Sequence, residues 1–236
     1  MPGNRSDRHQ LGGITMDNYE GIRFGIITAL DEEFIAMKVL LNDEKVEDVD
    51  GVRYCFGTIP SFDGKTHKVA LCLLPGMGNN ASAIFASKMS ASLKKIDSII
   101  MCGIAGGVPA VVHLGDVVVS TKGIIKYDYG KNEAYKFIQR DEIKPCDAYL
   151  TSAVKYMRAS ELEHGRQWDK HLDEINRTTS EDFSRPTKDE RYFEYCDGDY
   201  NVVTRANSKL PVIYYEKIAS ADVVQKDPTK RDVLPR

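Results

Sequence analysis

Residues 23–30, RFGIITAL, form a nearly continuous apolar run rich in β-branched side chains. The period then changes at once: in DEEFIAMKVLL, residues 31–41, Phe34, Met37 and Leu41 recur at helical spacing behind a first turn of acids. An apolar strand without alternation is buried on both faces, and acids suit the positive end of a helix dipole. A doubly buried strand followed directly by a helix commits the chain to a layered α/β fold with the sheet inside.

The following segments keep that rhythm. VRYCFGTI (52–59) and HKVALCLL (67–74) read as strands joined through the turn-rich PSFDGKT (60–66), a hairpin. PGMGNN (75–80) leads into ASAIFASKMSASLKK (81–95), a helix whose small residues permit close packing on a sheet. IDSIIMCGI (96–104) and GDVVVS (115–120) read as two more buried strands, and PVIYYEKIAS (211–220) as a late one. Residues 147–175 have helix-forming composition, whereas 176–209 are polar, charged and turn-rich and read as a long insertion. KDPTKRDVL (226–234) reads as a helix start, with Asp227 as N-cap and Pro228 in the first turn. Residues 1–22 are polar and unpatterned and read as a flexible leader, which leaves 23–236 as one domain. A helix that has barely begun at the end of the chain predicts a fragment, a truncated isoform or a gene-model boundary.

Composition narrows the partners. The 236 residues are 42% hydrophobic with a net charge of -3, and acids balance bases along most of the chain, so nucleic acid is not an expected partner. No apolar run approaches the ~20 residues of a membrane span, and the N-terminus lacks the apolar centre of a signal peptide, so membrane association is not expected and the default compartment is cytoplasmic or nuclear, with the cytoplasm taken as the expectation. Five cysteines, odd in number and mostly within apolar stretches, read as buried free thiols. Without CxxC or HExxH no metal is expected, and no cofactor motif is recognised, since neither glycine loop matches GxGxxG opening a helix.

In open α/β sheets ligands bind beyond the carboxyl ends of the strands, which directs attention to ALDEE (29–33), PGMGNN and GIAGG (103–107). Two readings stand for each. Asp31, Glu32 and Glu33 serve a helix start or a reaction. The glycines serve close strand-to-helix packing or admit a ligand to the backbone. His113 reads as a loop residue, Trp168 as a core contact of an amphipathic helix, and Tyr127 and Asp128 either as turn residues or as pocket lining.

Taken together and in order, GIITALDEEF, LLPGMGNNASA, IIMCGIAGGVP with LGDVVVS, YDYGK and IASADVVQKD resemble the nucleoside phosphorylase superfamily. Within it the opening is most similar to methylthioadenosine/S-adenosylhomocysteine nucleosidases. The resemblance implies a three-layer phosphorylase/hydrolase-like fold with a central, mostly parallel (mixed) twisted sheet, cleavage of the N-glycosidic bond of a purine nucleoside or nucleotide, and a homo-oligomer. It places Glu33 on the carboxylate that activates the attacking water, Gly106 with Ile104 and Ala105 against the nucleoside, and Val224 and Gln225 at the purine edge. Asp31 and Glu32 are left with helix capping. Acids rather than arginines in ALDEE favour water over phosphate as nucleophile.

Three positions depart from the pattern: Ile104 stands where these nucleosidases carry a serine, Val224 where they carry an aromatic residue, and Ala221 where they carry a glycine. The ribose-gripping Met-Glu pair and the purine-protonating aspartate are placed by the resemblance after KDPTKRDVL, beyond residue 236. These residues alone are therefore expected to be impaired. A phosphate-dependent phosphorylase and a catalytically impaired nucleoside-binding module are the alternatives.

Overall fold

The computed structural model describes residues 19, 21–61, 64–108, 111–134, 136–140, 142–169, 190–196, 199–205 and 210–223. The strand beginning the domain, β1 (Ile22–Thr28), lies between two parallel neighbours, β4 (Thr66–Leu73) and β5 (Ser98–Met101). β3 (Val52–Pro60) pairs antiparallel with β4 as the expected hairpin, and β2 (Asn42–Val49) pairs antiparallel with β3. The sheet order is β2-β3-β4-β1-β5, so the central sheet is mixed: parallel around β1 and antiparallel beyond β4.

Successive side chains on β1 and β4 face opposite ways. Ile27, Ala70, Cys72 and Leu74 enter one apolar cluster with Met89 and Leu93 of α2 (Asn79–Ser92) and its C-cap. Ile26, Val69 and Leu71 enter the other, against Phe34 and Met37 of α1 (Asp31–Lys38). One helix thus covers each face, which is the three-layer arrangement. On the α2 side the approach is close, because a Cβ on Gly25 would stand 2.2 Å from the sulfur of fully buried Met89. Tyr19, within the segment read as a leader, stacks on Phe56 and donates from its hydroxyl to Glu47 Oε2 at 2.6 Å.

Tyr54 is fully buried in the α2-side cluster. Burial pushes its phenol up to about 12, and its hydroxyl has no hydrogen-bond partner among the described residues. Removing an unsatisfied buried hydroxyl at constant ring shape is close to neutral or stabilising. Tyr54→Phe is expected to keep or raise the unfolding free energy, by up to about 1 kcal/mol, in urea titration. A loss larger than that would reveal a partner for the hydroxyl.

Several elements differ from the sequence reading. β2 has no counterpart there, because six of its eight residues are polar and all are exposed or half-buried. Its local signal is the turn Asp50-Gly51, with φ of 49 and 75, the pair of positive angles that a two-residue hairpin needs. β5 ends at Met101, short of the expected 104, and lies at the sheet edge with Ile100 and Met101 exposed rather than buried. The expected strand 115–120 is the start of the longer β6 (Val117–Lys126), of which only Gly123 and Ile125 are buried. β6 lies outside the central sheet, between an antiparallel β9 (Ile143–Lys144) and the parallel β12 (Ile213–Ser220).

Between them come the β7 (Gly130–Glu133) and β8 (Lys136–Gln139) pair, α3 (Ala148–His164), and a ribbon of β10 (Glu190–Cys196) with β11 (Asp199–Arg205). That ribbon places two strands inside the polar stretch 176–209. α3 begins on Asp147, whose side chain accepts from the Leu150 N–H at 2.8 Å, a side-chain cap for one of the orphan donors of a helix start. Trp168 makes charged contacts rather than the expected core contact: its ring N–H donates to Glu161, and the Arg166 guanidinium lies 3.9 Å over the ring. Cys55, Cys72, Cys102 and Cys146 are free thiols. Among the described residues no helix is long and apolar enough to cross a membrane. The expected helix start at Asp227 lies outside the described residues.

Candidate active site

The carboxyl ends of β1, β4 and β5 lie side by side, because the three strands are parallel neighbours. β1 turns into α1 at Ala29 and Leu30, and the N-cap is Leu30, which has no side chain able to cap. Glu33 fills that role from the first turn. Its Oε2 accepts the N–H groups of Ala29 at 2.8 Å and Leu30 at 3.0 Å. Its Oε1 accepts the N–H of Ile104, beyond the end of β5, at 2.7 Å. Asp31 and Glu32, expected to do the capping, are exposed in the same turn, so the hydrogen bonding of the helix start falls to Glu33. Its position on α1 turns Glu33 inward, where only 8% of it is exposed.

This geometry separates the glycines of GIAGG. A Cβ on Gly103 would lie 2.7 Å from Glu33 Oε1 and 3.0 Å from its carboxyl carbon, so this glycine makes room for the carboxylate. Gly107 packs on Val112, where a Cβ would sit 3.3 Å from that side chain. At Gly106 a Cβ would meet nothing within 4 Å, which leaves open space beside the backbone. Ile104, Ala105 and Gly106 are exposed, and Ile104 reaches Glu33 through its backbone while its side chain is 75% exposed.

A carboxylate has about four acceptor positions, and three are taken, so one on Oε1 is left for a water or a ligand hydroxyl. The structure therefore brings Glu33 together with Ile104 directly, and with Ala105 and Gly106 through the same loop. Val224 and Gln225 lie outside the described residues. Tyr127 and Asp128 hold the segment after β12: the Tyr127 hydroxyl donates to the Val223 carbonyl, and Asp128 Oδ2 accepts the Asp222 N–H at 2.9 Å. His113 sits in a loop, its backbone N–H donating to Asp116 at 2.8 Å. The sequence offers no role for Asp222 and leaves Gly103 with either close packing or ligand approach. For Gly103 the signal is its place at the end of a strand that neighbours the one feeding an acidic turn.

Fold and site define an α/β protein whose candidate site lies at the carboxyl edge of the parallel strands, where ligands bind in open α/β sheets. The family model of the phosphorylase superfamily matches residues 23–190, and the chain belongs to that superfamily. The 5'-methylthioadenosine/S-adenosylhomocysteine nucleosidase of Maridesulfovibrio salexigens is 30% identical over 102 residues, 43% of this chain and 41% of that protein. The chain spans half or less of the length of the curated relatives it matches. A Helicobacter pylori MTAN mutant with 5'-methylthioadenosine in the active site has a TM-score of 0.51 at 16% identity, covering 90% of this chain and 70% of that one. A futalosine hydrolase mutant of the same species has a TM-score of 0.50 at 13% identity, covering 89% and 72%. At these identities the two structures establish the shared fold.

Proposed function

We propose that the chain carries the water-activating part of a purine nucleosidase, which hydrolyses the N-glycosidic bond of a purine nucleoside or nucleotide. The observation that carries this reading is Glu33: a buried carboxylate anchored by three backbone N–H groups, with one acceptor position left, against a glycine loop. In the reaction the bond between the base and C1′ breaks as the ribosyl ring gains oxocarbenium character. A water on Glu33 Oε1 attacks C1′ and passes a proton to the carboxylate, and the electron pair of the broken bond leaves with the base. A weak nucleophile attacking a cationic carbon benefits from such a positioned base.

The loop of Ile104, Ala105 and Gly106 lies against the ribose in this reading, with the open space at Gly106 as support, and Val224 and Gln225 meet the purine. Phosphate is disfavoured as nucleophile because Asp31, Glu32 and Glu33 crowd the turn where it would bind. The nucleosidase names of the relatives, and the 5'-methylthioadenosine in one structural neighbour, support a purine ligand. A second reading, a nucleoside-binding module without turnover, draws on Ile104, whose side chain offers no hydroxyl to a water. The finer expectations of a cytoplasmic homo-oligomer remain part of the proposal: free thiols suit a reducing compartment, and the exposed Ile100 and Met101 at an open sheet edge suit a subunit contact.

The test is incubation with 5'-methylthioadenosine, S-adenosylhomocysteine, adenosine and adenine nucleotides, with and without phosphate, followed by chromatography of base and sugar. Free base with free sugar in the absence of phosphate is the expected result. Release that depends strictly on phosphate overturns hydrolysis in favour of phosphorolysis, and adenine binding without release from any substrate favours the binding module.

A further inference from the structure

α2 starts without a cap of its own. Its N-cap is Gly78, which has no side chain, yet the first N–H groups of a helix need partners. The partner comes from the sheet of β6, β9 and β12: Asp222, just past the end of β12, accepts the Asn79 N–H on Oδ1 at 2.5 Å. Two residues earlier the Ser220 hydroxyl donates to Asn79 Oδ1 at 2.8 Å. Asp222 is itself held, since its own N–H donates to Asp128 Oδ2, after β6. A negative charge at a helix N-terminus also gains from the helix dipole.

Gly78 fits this contact in two ways. Its φ of +115 is unfavourable for any residue with a side chain, and a Cβ would lie 2.8 Å from Asp222 Oδ1. The second glycine of PGMGNN is therefore matched to an aspartate 144 positions away, a pairing that neither segment reveals by itself.

We propose that Asp222 is a positioning residue for the nucleoside site, a cap supplied to α2 from the end of β12 that fixes the Met77–Asn79 turn at the carboxyl edge of β4. The role toward substrate rests on the nucleosidase reading of that edge. Asp222 touches the turn, the turn follows β4, and β4 is the parallel neighbour of β1, which leads into α1 and Glu33. Loss of the clamp loosens the wall of the site without altering the base, so substrate affinity falls while turnover of bound substrate is largely kept.

The test combines amide hydrogen exchange with kinetics on Asp222→Ala and Asp222→Asn. Alanine removes the acceptor, and exchange at residues 77–80 is expected to quicken about tenfold while β4 keeps its protection. KM is expected to rise about fivefold to tenfold, with kcat within about threefold of the parent, the pattern of lost binding shared by ground and transition states. Asparagine retains an oxygen acceptor for the Asn79 N–H and is expected to restore both readouts to within about twofold.

Unchanged exchange at 77–80 in Asp222→Ala overturns the clamp. Faster exchange with unchanged KM overturns its positioning role. Should the parent protein release no base, the nucleosidase reading fails on its own account. Exchange and the calorimetric Kd for adenine, which Asp222→Ala is expected to raise by the same factor as KM, then decide on Asp222.

Discussion

Alanine at Glu33 is expected to lower the unfolding free energy by about 2–4 kcal/mol, since one truncation orphans three partly buried donors at a cost of about 1 kcal/mol each or more. Those donors, the N–H groups of Ala29, Leu30 and Ile104, join the β1–α1 turn to the loop after β5, so the loss falls on two segments together. Glutamine is the sharper probe of chemistry. Its oxygen can still accept from Ala29 and Leu30, but its amide then presents a donor to the Ile104 N–H. We expect Glu33→Gln to stay folded at 25 °C and to release base about 100-fold to 10,000-fold more slowly, the range for loss of a general base. Urea titration read by circular dichroism and chromatographic base release check the two effects separately. A folded Glu33→Gln with unchanged base release refutes the role of base and, together with a stability loss in Glu33→Ala, assigns Glu33 to structure alone.

The second large effect is expected at Gly103. A methyl group there stands 2.7 Å from Glu33 Oε1 and 3.2 Å from Oε2, and the carboxylate cannot swing aside without surrendering its backbone bonds. Gly103→Ala is expected to destabilise by about 1–3 kcal/mol, the usual cost of overpacking. It is also expected to slow base release about 100-fold, as displacement of a reacting group by about 1 Å does. Gly106→Ala is the control, because its Cβ would meet no protein atom. Stability is expected to stay within about 0.5 kcal/mol of the parent, with any effect confined to KM. Equal losses of stability at 103 and 106 would overturn the distinction between the two glycines.

Much of the central sheet was legible in the residues. Apolar runs flanked by a helical period at 31–41 and a small-residue helix at 81–95 are local signals, and the hairpin of 52–59 with 67–74 brackets its own turn. β2 was not legible, because an exposed edge strand has no apolar face to show a period, and Asp50-Gly51 was its only mark. β5 is the converse: Ile99, Ile100 and Met101 are apolar and suggest burial, but sheet order puts the strand at an edge. Composition reports what a side chain prefers, and topology decides what covers it.

At the site, sequence alone determined which residue types stand at the strand ends: an acidic turn after β1, glycines after β4 and β5, and Glu33 at the third helical position of α1. Tertiary structure decided what each does. The α1 register turns Glu33 inward and leaves Asp31 and Glu32 outside, β5 lies beside β1 so that Gly103 meets that carboxylate, and β12 delivers Asp222 to a helix that begins on a glycine. Those pairings join residues 70 and 143 positions apart, and contacts across such separations come from strand order, which no local pattern encodes.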